Sequence, residues 1–208
     1  MKKGSIDMNS KKNLITILFV VSALFLAGCS GNKSAATMAV NAAQESFDAV
    51  KGEAVQYVPD QARGVEDAIQ SAKDSLAKGD YDAALNLAKP IPDRVKELPA
   101  AIAAKKTEMT AGFQEMSGGL PKMLAVVKSR LDILSASKGL PANLDQAKLE
   151  GAKSGYETAA KAWAEAQSAF SSGNVADAMA KATIAKDNAV EVMTTLGMKV
   201  PAAAARKG

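Results

Sequence analysis

Apolar residues recur at steps of three and four along most of this chain, and this spacing limits its fold more than any other feature. The spacing places these residues on one face of an α-helix, and the alternation typical of a half-buried strand is missing. The most regular stripe consists of Leu149, Ala152, Tyr156, Ala159, Trp163, Ala166 and Phe170. We therefore predict an all-α fold, an antiparallel helical bundle of about six or seven helices.

Glycine and proline residues divide this helical pattern into segments. In two turns, a glycine suited to a left-handed helix end precedes a residue whose side chain can cap the next helix. These turns are Gly79-Asp80 and Gly173-Asn174. The hairpins around them resemble half-units of tetratricopeptide arrays. Further boundaries are predicted at Pro90-Ile91-Pro92, at Gly118-Gly119-Leu120-Pro121 and at Gly139-Leu140-Pro141, where Pro121 and Pro141 would each start a helix.

The N-terminal part of the chain has the features of a secretion signal. Lys11 and Lys12 precede a 14-residue apolar run that ends at Ala27. A membrane-spanning helix needs about 20 apolar residues, so this length is typical of a signal-peptide core. The run ends in Leu26-Ala27-Gly28-Cys29, which resembles the bacterial lipobox. The alternative is a buried cysteine after an ordinary signal peptide.

The lipobox resemblance implies a specific modification. The signal peptidase would recognise Leu26, Ala27 and Gly28 and cleave before Cys29, whose Sγ would carry diacylglycerol and whose new amine is open to N-acylation. Two or three acyl chains anchor a protein stably, whereas one chain binds only marginally. Ser30 after the cysteine resembles the type sorted to the outer membrane in enteric diderm bacteria. We expect the periplasmic side of the outer membrane, or the outer face of the plasma membrane in a single-membrane source.

The sequence therefore predicts four parts of the chain. Residues 1–28 form a cleaved lipoprotein signal peptide, and residues 29–34 form a lipidated tether. Residues 35–200 form the helical domain, and residues 201–208 form a flexible tail. Both Met1 and Met8 are candidate starts.

Part of the helical region resembles a known family. Residues 36–88 contain Tyr57-Val58-Pro59 and then Leu76-Ala77-Lys78-Gly79-Asp80-Tyr81-Asp82-Ala83-Ala84. This combination resembles small alanine-rich bacterial lipoproteins classed as a domain of unknown function. The resemblance implies a lipoprotein and no activity.

Composition excludes several classes of function. The chain has no histidine and one cysteine, so Ser-His-Asp and Cys-His nucleophiles, His/Cys zinc sites and haem ligation by histidine are excluded. Without the signal region, 22 basic and 21 acidic residues remain. This balance lacks the clustered basic charge that nucleic-acid binding requires. We predict no metal and no cofactor other than the covalent lipid, and no enzymatic activity.

Two functions are open at this stage. The first is a non-catalytic structural or protein-interaction module of the envelope, which contacts the membrane through its lipid and an envelope protein or the cell wall through exposed helix faces. The second is a small-molecule or lipid carrier, with a groove between the aromatic set Tyr156, Trp163 and Phe170 and the facing set Met109, Phe113 and Met116. The same side chains, at helical spacing, also suit an ordinary core.

Overall fold

The computed structural model describes residues 32–202 and 204, and the regular structure of these residues is entirely helical. The prediction of an all-α bundle of six or seven helices is confirmed. The helices are α1 (residues 32–48), α2 (Lys51–Tyr57), α3 (Pro59–Ala77), α4 (Tyr81–Ala88), α5 (Ile91–Ala136), α6 (Gln146–Ser171) and α7 (Val175–Thr195). The predicted signal peptide, Cys29 and most of the tail after Ala202 lie outside the described residues.

The described residues form two compact units. Unit 1 consists of residues 32–102, and unit 2 of the described residues from 103 onward. Unit 1 contains α1 to α4 and the first residues of α5, and unit 2 contains the rest of α5 with α6 and α7.

In unit 1, α1 and α3 run in opposite directions. Lys73 of α3 donates a hydrogen bond from Nζ to Gln44 Oε1 at 2.8 Å. Further along the chain, Lys51 forms an ion pair with Glu66, which lies earlier in α3. Buried Val40, Ala72 and Ala88 form an apolar cluster, which brings α1, α3 and α4 together.

The two predicted glycine turns are confirmed. Gly79 and Gly173 have φ values of +80° and +83°, the left-handed region that glycine adopts without a steric cost. The amide after each glycine bonds back to the last turn of the preceding helix. The Asp80 side chain accepts a hydrogen bond from the Ala83 amide, and Asn174 accepts one from the Asp177 amide. Local chemistry therefore determines both hairpin turns.

The boundary predicted at Gly118-Gly119-Leu120-Pro121 is wrong, because α5 continues through it without interruption. Proline in a helix interior costs about 3 kcal/mol, which favours a break. Leu120, Met123 and Leu124 are all buried in the core of unit 2. Full burial of each such side chain contributes about 1.5–3 kcal/mol, so tertiary packing outweighs the local preference.

The prediction that Pro141 starts a helix is also wrong. Helix α6 begins at Gln146, and the Asp145 side chain accepts a hydrogen bond from the Lys148 amide at 2.8 Å. Leu144 is buried and donates its amide to the Pro141 carbonyl at 2.9 Å, which holds this segment in a turn. Because Asp145 satisfies a free amide of the first helical turn, it caps α6 more effectively than the proline four residues earlier.

In unit 2, α6 and α7 form a closely packed pair along a contact line that we call the alanine seam. Its members are alanines with no exposed surface: Ala159, Ala166, Ala178, Ala182, Ala185 and Ala189. The two helices are also close at Gly155, where an added Cβ would lie 2.7 Å from Val192 Cγ2. Small side chains on both helices permit this distance.

Candidate interaction surface

The predicted lipidation site stays a prediction. Leu26, Ala27, Gly28 and Cys29 all lie outside the described residues. The structure does place the beginning of the described helical region at Asn32, three positions after Cys29. Helix α1 therefore follows the predicted anchor very closely in the chain.

The structure brings the predicted aromatic residues together as part of the core of unit 2. The Phe113 ring stacks on the Phe170 ring, with a centroid distance of 4.2 Å and an interplanar angle of 11°. Between the Phe113 and Trp163 rings the centroid distance is 5.5 Å and the interplanar angle is 19°. Phe113 and Trp163 are buried, whereas Phe170 and Tyr156 are half-buried against the same core.

This packing decides how the aromatic set can act. An apolar ligand held between Trp163 and Phe170 would need the space that the Phe113 ring occupies. Met116 also packs on this core. The aromatic side chains therefore pack as part of the core of unit 2, and this packing gives no specific support to a carrier groove.

The acidic pair beside Tyr81 acts within the protein. Asp80 caps α4, and Asp82 Oδ1 accepts a hydrogen bond from Asn32 Nδ2 at 3.0 Å. Over the described part of the chain, no group of three or more metal-ligating side chains is positioned to hold an ion. None of the described helices is long and apolar enough to cross a bilayer.

One exposed surface of the described residues was not predicted from the sequence. We call it the outer face of α5, and it consists of seven exposed residues: Gly118, Lys122, Ala125, Val126, Ser129, Ile133 and Ala136. Val126 and Ile133 expose 55% and 57% of their surface, and they are two helical turns apart on the same side. The other side of the same helix carries the buried stripe Leu124, Val127, Leu131 and Leu134. Over these turns α5 therefore has two apolar sides.

A signal for this face was present in the sequence. Val126 and Ile133 fall outside the core stripe and are seven positions apart, with Ser129 and Arg130 about one helical turn from each of them. A second apolar set at this spacing indicates a second packing side.

Charge is sparse on the outer face of α5. At its edge, Lys128 Nζ donates to Asp132 Oδ2 at 2.8 Å, and this hydrogen bond and the charge of Asp132 raise the pKa of Lys128. These two charges neutralise each other. Lys122 lies on the face itself and forms no ion pair with any described residue. The face is thus an apolar strip with two positive side chains, Lys122 on the strip and the half-buried Arg130 beside Val126 and Ile133.

Unit 1 contains two shallow clefts away from the predicted site residues. One, of about 490 Å³, lies between α3 and α5, with Val65 and Leu98 among its lining residues. The other, of about 310 Å³, is crossed by the contacts of Lys51 with Glu66 and of Lys73 with Gln44. In the second cleft, the polar groups already bind one another.

Comparison with known proteins gives no relative from which a function can be transferred. No protein-family model, no curated protein and no solved structure matches this chain. The resemblance of residues 36–88 to the alanine-rich lipoproteins stays a prediction.

Proposed function

We propose that this chain is a lipid-anchored protein of the bacterial cell envelope that acts as a non-catalytic interaction module. The observation that carries the proposal is the apolar run that ends in Leu26-Ala27-Gly28-Cys29, with residue 32, three positions later, already part of a described helix. This order matches a lipid anchor on a short tether joined to a folded domain. The absence of histidine removes the commonest general acid-base residue and supports a non-catalytic role.

The anchor consists of the acyl chains on Cys29. Each buried methylene contributes about 0.8 kcal/mol, so two or three chains give stable attachment. Ser30 favours the periplasmic side of the outer membrane, or the outer face of the plasma membrane where there is a single membrane. A direct partner of the module is then another component of that compartment.

The outer face of α5 supports binding to a protein. Exposed apolar side chains grouped on one surface are typical of interaction sites. Val126 and Ile133 provide such a group, and the exposed neighbours Ala125 and Ser129 are small enough for a partner helix to approach on the side away from Arg130. An apolar strip fits the nonpolar side of an amphipathic helix better than it fits the polar sugars of a cell wall.

The anchor is tested by the intact mass of the protein extracted from membranes. We expect a chain that begins at Cys29 and carries diacylglycerol, with or without an N-acyl group. Cys29→Ala removes the lipid acceptor, so this variant is expected to lack the lipid mass. A mature chain that begins elsewhere, or Cys29 with a free thiol, would contradict the anchor.

The interaction role is tested with a photoreactive amino acid introduced at single positions in cells. We expect residues 126 and 133 to crosslink to the same envelope protein, because both belong to one exposed face. Ser135 is the matched control, since it is exposed on the same helix but lies outside this face. Equal crosslinking from Ser135, or no adduct from 126 and 133, would contradict the proposed surface. Loss of the adduct in Cys29→Ala would show that the anchor brings the two proteins together.

A further inference from the structure

The first described residue of α1 lies beside the turn between α3 and α4. Asn32 donates a hydrogen bond to Asp82, which lies in the first turn of α4. The antiparallel register agrees with this contact, because Gln44 of α1 meets Lys73 near the end of α3. Residues earlier in α1 must therefore lie towards the end of α3 and the turn at Gly79.

The distance from Cys29 to this turn is limited by the chain. Three residues span at most about 11 Å even when fully extended. The head-group layer on each side of a bilayer is about 5–8 Å thick, from the difference between the full thickness and the hydrocarbon core. If Cys29 carries acyl chains, Asn32 must therefore lie within or directly above the head groups.

Both signs of charge occur at this end of unit 1. The two nearby carboxylates keep their charge but are held by neutral donors within the protein, since Asp80 accepts from the Ala83 amide and Asp82 accepts from Asn32. Lys33 and Lys78 are exposed, and their ammonium groups form no hydrogen bond or ion pair with any described side chain. Lysine ammonium groups bind phosphate oxygens as point charges.

We infer that this end of unit 1 is a membrane-contact surface, in which Lys33 and Lys78 bind the phosphates of phospholipid head groups. We call it the anchor end, and it comprises Asn32, Lys33 and the turn from Lys78 to Asp82. The inference rests on the proposed lipidation of Cys29 and adds to it a fixed orientation of unit 1. In this orientation the C-terminal end of α3, next to Lys78, lies near the bilayer, and the N-terminal end of α3 lies farther away.

Three positions on one side of α3 and its C-cap can test this orientation, because their distances along the helix axis are known. Asp60, Ser71 and Lys78 are exposed, and their spacings of eleven and seven residues bring them to within about 20° of one another around the helix. At 1.5 Å per residue, Ser71 lies about 10 Å and Asp60 about 27 Å from Lys78 along the axis. Cys29 is the single cysteine of the chain, so in the lipidated protein an introduced cysteine is the one free thiol.

The experiment uses full-length lipidated protein with Asp60→Cys, Ser71→Cys or Lys78→Cys, each labelled with a small fluorophore. The proteins are reconstituted into phosphatidylethanolamine and phosphatidylglycerol vesicles that contain a lipid with a nitroxide on its head group. We expect quenching to be strongest at position 78, weaker at 71 and weakest at 60. As a control, each of these cysteine variants is combined with Cys29→Ala, labelled in the same way and mixed with the same vesicles. The gradient should then be absent.

Two further measurements make the outcomes distinct. Lys33→Gln combined with Lys78→Gln should lower quenching at position 71, since the phosphate contacts are lost; unchanged quenching would overturn the role of the lysines. Equal quenching at all three positions, or stronger quenching at position 60, would overturn the orientation. If intact mass shows lipid on Cys29 in these cases, the proposed anchor still stands. A chain without that lipid would overturn the anchor and the orientation together.

Discussion

Two glycines in α6 should respond oppositely to the same substitution. Gly151 and Gly155 are one helical turn apart. A Cβ at Gly151 would have no atom within 4 Å, whereas at Gly155 it would lie 2.7 Å from Val192 Cγ2. The pair therefore separates helix propensity from the close approach of α6 and α7.

The expected magnitudes follow from these two environments. Glycine to alanine in a helix interior stabilises by roughly 0.5–1 kcal/mol, and Gly151→Ala should show this gain in full. Gly155→Ala receives the same gain but overpacks the contact with Val192, which costs about 1–3 kcal/mol. Val192 cannot move aside easily, because a β-branched side chain in a helix has one strongly preferred rotamer. We expect Gly155→Ala to be less stable than Gly151→Ala by about 1–3 kcal/mol.

Trp163 provides the assay, because it is the single tryptophan of the chain and lies in α6 of unit 2. Its fluorescence during thermal unfolding reports on the unit that carries both substitutions. For a unit of this size, about 1 kcal/mol shifts the midpoint by roughly 4–8 °C. Equal stabilisation by both variants would refute the close approach. In a Val192→Ala background the two variants should become similar, which identifies Val192 as the obstacle.

Three further predictions concern unit 2. Gly173→Ala should destabilise by about 1–2 kcal/mol in urea unfolding, because φ at this residue is +83°; no change would contradict the turn. Phe113→Ala should cost about 3–5 kcal/mol and change the emission of Trp163, which stacks on it; unchanged emission would count against the stacking. The hydrogen bond from Lys181 lowers the pKa of Glu165, so this carboxylate stabilises the fold above its unfolded pKa of about 4.3. The destabilisation caused by Glu165→Gln should therefore be complete at neutral pH and should disappear as the pH falls through the pKa of Glu165 in the folded protein. A destabilisation that does not depend on pH would argue against the ion pair.

Features determined by neighbouring residues could be predicted from the sequence. The turns at Gly79 and Gly173 depend on a left-handed glycine and a capping side chain, and both signals are contained in a few adjacent residues. The helical stripes were also readable, because each stripe reports the face that its own helix buries. The fold class follows from these local features.

Features determined by packing between distant segments could not be predicted in the same way. The continuity of α5 through Pro121 depends on the burial of Leu120 and Met123 in a core that also includes α6 and α7. The position of Phe113 between Trp163 and Phe170 likewise depends on how α5 packs on α6. The spacing identified Trp163 and Phe170 as neighbours on one helix face. It could not show that the Phe113 ring of α5 fills the space between them.

The alanine seam between α6 and α7 restricts how this protein can change during evolution. Ala178, Ala182, Ala185 and Ala189 have no exposed surface, and every residue type except glycine is larger than alanine. A codon change at any of these positions therefore either enlarges the side chain or introduces the residue least suited to a helix interior. Neutral drift is then confined to the outward positions of α7, and we expect variants of this chain to keep the seam while the rest of the helix surface diverges.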